Sequence, residues 1–388
     1  MGRKTYSRID DKGRTVYTLT PGFEAATTEY DTRGRISKSS FGSGPDAFTY
    51  TYTYDSSGQK ASDTDSLGRA TTFAYDDIGR KSATTQPGGL LVQFGYDANG
   101  NRVSVTPPER LPYLFTFDAL NRETDFNPPD IGLPVDNTAI SRSPDGQVLT
   151  VTRPDGKIIT NSYDSGGRLL KVTMPEAAID VAYQPGEDRI ASVTRTAADG
   201  SAQTTSYTYD GQLLIAKQES GAVNYSATLA YDNNYWTTSQ TINGQPIAYT
   251  YDNDGLITSA GALSIARSTQ NGAITGTALG SVAETFTYSP FGDVTVHQVK
   301  YAGAVVYQVD YVRDLIGRIT KKTEAIQGVT KIHEYSYDAA GRLAGVMEDG
   351  VTVASYIRLE RKPFDGGDTV RLLYRSVRHA GPYGLIRG

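Results

Sequence analysis

The chain has 388 residues, 38 Lys or Arg against 43 Asp or Glu, so its net charge of −5 gives no basic footprint for nucleic acid. It contains no cysteine, which removes disulfides, thiolate metal sites and a cysteine nucleophile together. No stretch approaches the ~18 apolar residues of a membrane span, and 27 Tyr beside 11 Phe, 3 Met and 1 Trp suit a sheet that is apolar along its body and wet at its tip better than a compact aliphatic core.

Met1-Gly2 opens like an acylation signal, but Tyr6 stands where Ser or Thr is required. A turn sequence, Asp10-Asp11-Lys12-Gly13-Arg14, follows almost at once with no capping element ahead of it, which gives the expectation of a segment from a longer array. From Phe48 to Tyr54 aromatics fall on every second residue with threonines between, the alternation of a strand with one buried face, and the run stops at Asp55. The same ending recurs at Phe73–Asp76, Phe94–Asp97, Phe115–Asp118, Tyr207–Asp210, Tyr249–Asp252 and Tyr335–Asp338.

After each Asp a turn is expected. Asp-x-x-Gly-Arg is complete at Asp10, Gly13, Arg14; Asp31, Gly34, Arg35; Asp65, Gly68, Arg69; Asp76, Gly79, Arg80; Asp164, Gly167, Arg168; Asp314, Gly317, Arg318; and Asp338, Gly341, Arg342. Tyr30, Tyr54, Tyr75, Tyr96, Tyr163 and Tyr337 precede such turns. Degraded copies stand at Asp55 and Gly58 with Gln59 for Arg, at Asp97 and Gly100 with Asn101 before Arg102, at Asp118 with Asn121 for Gly, and at Asp252 with Leu256 for Arg. Asp at the first turn position accepts the N–H groups that follow, and Gly takes the positive φ of the reversal. The Arg begins the return strand, where its fork can pair with a carboxylate or stack on a neighbouring Tyr. Spacings of 21 residues from Asp10 to Asp31, and between successive members of Asp55, Asp76, Asp97 and Asp118, mark stacked supersecondary units. The expected fold is all-β, a ribbon of antiparallel hairpins. Asp65 and Asp76 lie 11 residues apart, so both ends of the strand between them carry one turn chemistry.

From about 106 to 134 prolines cluster, at Pro107, Pro108, Pro112, Pro128, Pro129 and Pro134, and the ladder is expected to be broken or edge-exposed there. Hairpins resume with Ser143-Pro144-Asp145-Gly146 and Arg153-Pro154-Asp155-Gly156 turns, and the gaps from Asp118 to Asp164 and to Asp210 imply one turn in each without its signature. The small-residue stretch from Gly255 to Ser281 reads as strands with Asn271-Gly272 between them. Residues 1–356 are thus assigned to one array. Residues 357–388, with seven Lys or Arg against three Asp or Glu from Arg358, form a basic tail expected to be foreign or out of frame.

No catalytic, cofactor or metal set emerges, and the chain reads as a non-enzyme. His297, His333 and His379 lack partners at ligand or triad spacing. Asp252-Asn253-Asp254-Gly255 lacks the later Glu of a calcium loop, and Asp365 and Asp368 suit a solvated loop. Trp236 suits packing more than sugar stacking.

The Tyr-Asp-x-x-Gly-Arg units at this period resemble the YD repeats of the Rhs family, found in bacterial polymorphic toxins, in C components of Tc insecticidal toxins and in teneurins, over residues 5 to 356. The resemblance implies a ribbon wound into a hollow shell, here a partial one, that in bacterial members encloses a toxic C-terminal domain. It also implies a secreted or extracellular setting, with the cargo domain and remaining shell segments as partners. Such shells close with a self-cleaving Asp-Pro motif; here only Gly381-Pro382-Tyr383-Gly384-Leu385 remains, so no protease residues are carried over. Alternative readings are a surface module holding carbohydrate or a protein on Tyr faces such as Tyr50 and Tyr52, and an Asp-dependent self-cleaving shell.

Overall fold

A computed structural model describes residues 3–129 and 137–356, so the basic tail and Pro134 lie outside the described residues. Within them the chain is all-β: thirty-three strands, one 3-10 turn at Gly44–Asp46 and no α-helix. Neighbouring strands pair antiparallel through successive hairpins, the expected ribbon. One hairpin shows why. Strands β3 (Ala26–Tyr30) and β4 (Ile36–Phe41) pair Glu29 with Lys38, then Tyr30 with Ile36, a slip of one residue at the Tyr. The slip accommodates the five-residue Asp-to-Arg turn, a type I turn followed by a left-handed Gly. The same slip occurs at Tyr54, Tyr75, Tyr163 and Tyr337.

The opposite ends of many hairpins use a tighter reversal. Ala302-Gly303, Gln327-Gly328 and Asp349-Gly350 all have positive φ at both residues, the two-residue I′ turn that matches strand twist. The ribbon therefore has a bulged-turn edge and a far edge. β7 (Ala70–Tyr75) has bulged turns at both ends, Asp65 before it and Asp76 after it, so the Asp65 turn sits on the far edge.

Residues divide into two compact units, Met1–Leu91 with Ala262–Gly388, and Val92–Gly261. In the second unit the proline-rich stretch does not break the ladder as expected. It contains the hairpin of β11 (Tyr113–Phe117) and β12 (Glu123–Asn127), with Phe115 paired to Phe126. β12 pairs onward with β13 (Thr138–Arg142), and β11 pairs back to β10 (Arg102–Thr106). The described prolines lie in the connections, where no ladder N–H is required.

In the first unit the early and late stretches meet edge to edge. Arg3 Nε donates to the Ser268 carbonyl 265 positions away at 3.2 Å. The Glu24 N–H donates to the Pro290 carbonyl at 2.7 Å. Phe41 and Phe291 pack edge to face with centroids 5.4 Å apart, and Arg69 lies against Gly341. Far-edge turns of the early stretch thus face bulged turns of the late one. Buried apolar residues are few, Ala177, Ala227 and Val309 among them. Order in such a thin sheet must come from local clips and cross-strand pairs.

Candidate functional site

Within each unit the repeated turns share one device, set along the bulged edge except at Asp65. In the first, the Asp10 N–H donates to the Arg14 carbonyl at 2.9 Å and the Gly13 N–H to the Asp10 carbonyl at 3.1 Å. Asp10 Oδ1 accepts the N–H groups of Lys12 and Arg14, each at 2.9 Å, while Oδ2 receives Arg14 Nε at 2.7 Å and Nη2 at 2.6 Å. One carboxylate therefore satisfies the turn backbone and locks the guanidinium flat. Asp31 with Arg35, Asp65 with Arg69, Asp76 with Arg80, Asp118 with Arg122, Asp164 with Arg168, Asp314 with Arg318 and Asp338 with Arg342 repeat the carboxylate-to-Nε bond.

The locked Arg then reaches the next hairpin. Arg14 lies 4.1 Å from the Tyr30 ring centroid, Arg35 4.0 Å from Tyr54 and Arg318 4.2 Å from Tyr337. Its flat fork thus does both things the sequence left open, pairing with its own Asp and stacking on the following Tyr. That Tyr in turn donates its hydroxyl backwards, to the carbonyl one residue past the previous Arg: Tyr30 to Thr15 at 3.1 Å, Tyr54 to Ile36 at 2.7 Å, Tyr337 to Ile319 at 2.7 Å. Tyr75 and Tyr163 do the same to Lys60 and Val148. A side chain on Gly34 would meet Arg14 Nη1 at 3.1 Å and force a residue with φ +82° to carry a Cβ, so Gly serves both its own turn and its neighbour.

The degraded copies keep the geometry with other atoms. Gln59 takes the Arg place after Asp55 and Gly58, its N–H bonding Asp55 at 2.8 Å and its Nε2 the Gly79 carbonyl at 2.7 Å. Asn101, rather than Arg102, closes the turn of Asp97 and Gly100 and bridges to Asn121 Oδ1 at 2.8 Å. Asn121 adopts the left-handed conformation of the missing Gly, with φ 60°. Tyr96 stands opposite Arg102 in the ladder. Asp252 Oδ1 accepts the N–H groups of Asp254 and Leu256, a turn of the same kind.

Sequence reasoning missed three members. At Asp232, Tyr235 takes the left-handed place with φ 64° and Trp236 the Arg place, its ring 5.2 Å from Tyr251. Only the Tyr231-Asp232 pair itself, about one period from Asp210, could have signalled it. Ser289 to Asp293 closes an equivalent turn without an Asp, as the expected Ser143 to Gln147 turn does, and Gln184 to Arg189 closes one that is a residue longer. Gln184 and Ser143 supply the signatures absent from the two long gaps. At Asp210 the chain instead stays in strand β19 (Ala202–Asp210), which turns through Gly211 and Gln212.

Other candidates are scattered. His297 stacks on Phe286 with centroids 4.5 Å apart, 3.8 Å from Glu284 Oε1, and His333 Nδ1 lies 4.0 Å from Glu348. His379, Asp365 and Asp368 lie outside the described residues.

The clips shift protonation. Arg14 side-chain and backbone bonds hold the Asp10 carboxyl below the usual carboxylate range, as Arg80 does for Asp76. Backbone donation from Arg35, Arg122 and Arg168 leads at Asp31, Asp118 and Asp164. At Asp65 and Asp338 burial pushes upward, but the Arg69 and Arg342 bonds together outweigh it. A carboxyl depressed on folding stabilises above its unfolded value of ~3.9 and loses that contribution as pH falls through the folded one. The thermal midpoint is therefore expected to carry the full contribution of these groups, without pH dependence from them, between pH 7 and about pH 5 and to drop progressively below about pH 4. Melts followed by circular dichroism down to about pH 2 check this; a midpoint that holds there removes the Asp pairs from the stability of the ribbon.

The model of the Teneurin YD-shell family matches residues 5–357. Among solved structures, the fold is similar to the crystal structure of TcdB2-TccC3, with TM-score 0.49 and 14% identity over 89% of this chain and 26% of that one. It is also similar to that of TcdB2-TccC3-Cdc42, with TM-score 0.49 and 13% identity over 89% and 25%. The crystal structure of TcdB2-TccC3-TEV matches with TM-score 0.47 and 14% identity over 89% and 24%, so the chain spans about a quarter of the chains it matches. No curated protein matches it in sequence.

Proposed function

Because the chain belongs to the teneurin YD-shell family, whose model accounts for residues 5–357, we propose that it is a wall segment of an Rhs-type toxin shell that encloses a C-terminal toxic cargo. The observation that carries this reading is the clip ladder itself. Each complete turn is locked by its own Asp, and at Arg14 and Arg35 the Arg and the following Tyr fasten it to the next, so the same residues recur along the ribbon. A catalytic constellation is single and aimed at one reacting atom; a repeated device that spends its polar atoms on its neighbours builds a surface. The role is structural, and the partners are the cargo and the adjoining stretches of wall, outside the cell.

Enclosure is tested with an unstructured, protease-sensitive reporter fused after Tyr356. The wall reading expects the reporter to be cut at least about tenfold more slowly than the same reporter on an unrelated β-protein of similar size, because cleavage tracks the exposed population. Equal cleavage rates with the ribbon intact by circular dichroism overturn enclosure.

A further inference from the structure

Asp65 closes a complete turn on the far edge, and this displacement leaves its Arg69 placed unlike the other turn arginines. Arg122 Nη1 donates to the Ser143 and Pro144 carbonyls and Arg168 Nη1 to that of Glu187, each in the next hairpin turn. Arg14, Arg35, Arg168 and Arg318 lie over Tyr rings. Among the described residues Arg69 does neither. Its Nε and Nη2 bind Asp65, while its Nη1 has no acceptor and its flat face covers no ring.

Arg69 instead crosses to the late stretch of the same unit. A Cβ on Gly341 would touch Arg69 Nη1 and stand 3.3 Å from Arg318 Nη1, so two guanidinium ends converge on one turn. Arg318 Nη1 is buried there without a hydrogen-bond partner. Two cations brought this close attract an anion to the accessible one. A cleft of about 380 Å³ opens beside Arg69. Thr72 of β7 and Thr85 of β8 (Lys81–Gln86), opposite one another in the ladder, line it together with Gln86, Gly88 and Ala339. No acid is among the lining residues, and among the described residues the two Thr hydroxyls and the Gly88 N–H have no partner.

We infer that this cleft binds a phosphate-type tetrahedral oxyanion, with Arg69 Nη1 as its cationic donor. A cationic nitrogen, two hydroxyls and a glycine N–H around one cleft form an oxyanion's donor set. Because Asp65 holds Nη2, Arg69 offers one terminal nitrogen instead of a fork, which favours a group taking single bonds on several oxygens over a planar carboxylate. The cleft is lined from both the early and the late stretch, so its occupant also holds those two together. This inference is independent of cargo enclosure.

Inorganic phosphate titrated at constant ionic strength into the isotope-labelled full chain is expected to shift the Gly88 amide and Arg69 Nε–H resonances saturably, with a Kd of about 1–10 mM. The Arg168 Nε–H should stay in place, and acetate should bind at least about fivefold more weakly. Ala339→Glu, at an exposed turn tip, sets an internal carboxylate beside Arg69 and should weaken phosphate at least about tenfold with circular dichroism unchanged. Thr72→Val, at an exposed strand position, removes one donor and should weaken it about threefold, which decides the matter should the first variant not fold. Absence of saturation, equal binding of acetate, equal shifts at Arg168, or undiminished binding in a folded variant each overturns the proposal.

Discussion

Asp65→Ala is expected to destabilise the first unit by about 2–4 kcal/mol, the most of any turn Asp, because removing one partner of a buried pair strands the other. Asp65 is the buried one, 9% exposed, where the other complete copies sit on a more open edge. Its Oδ1 accepts the Leu67 and Arg69 N–H groups at 2.9 and 3.0 Å, and its Oδ2 binds Arg69 Nε at 2.8 Å and Nη2 at 2.7 Å. Alanine leaves two N–H groups and a guanidinium with fewer partners in a place that water reaches poorly. Arg69 also lies against Gly341, so its release loosens the contact between the early and late stretches as well as its own turn. Asp338→Ala provides the contrast. That carboxylate's side chain is 33% exposed and its Arg342 partner 48%, so water replaces much of what is lost. Urea unfolding of the two variants should show a markedly larger fall in midpoint for Asp65→Ala at unchanged slope. Equal falls would mean that burial at the Asp65 turn adds nothing to its pair.

The hairpins were legible in the sequence because their chemistry is local. Five consecutive residues contain the acceptor, the left-handed position and the guanidinium, so Asp-x-x-Gly-Arg announces a turn without any knowledge of its surroundings. Legibility failed where another residue filled the same space: Trp236 packs at a tilt against Tyr251 in the place of an Arg, but nothing in Asn233-Asn234-Tyr235 resembles a Gly turn. Prolines misled for the opposite reason. Pro107, Pro108 and Pro112 forbid a central strand only where they stand, and they stand between strands. The backward reach of the Tyr hydroxyl, over 14 to 19 positions, depends on which strand becomes the neighbour. The contact between Phe41 and Phe291 depends on how far the ribbon travels before it meets itself, which no local pattern encodes.

That contact supplies the second large effect. Phe291→Ala is expected to cost about 3 kcal/mol, the low end for losing an aromatic ring, since the ring is only part-buried yet packs edge to face on Phe41. Hydrogen exchange should rise at residues 20–24 and 41–44, where the Glu24 N–H holds the Pro290 carbonyl and the ring shields Gly42, and stay unchanged at the Asp164 turn of the other unit. Gly42→Ala attacks the same place from the other side. A Cβ there would stand 2.7 Å from Phe291 Cε1, and φ +85° disfavours any side chain, so crowding and backbone strain of about 1 kcal/mol add together. In the double variant the ring is gone and only the backbone strain remains. Gly42→Ala should therefore cost at least about 1 kcal/mol less in the Phe291→Ala background than alone, a coupling that separates true contact from two independent losses. Strict additivity would show that the early and late stretches of the first unit do not press on each other at this point, and the edge-to-edge contact would then contribute no stability there.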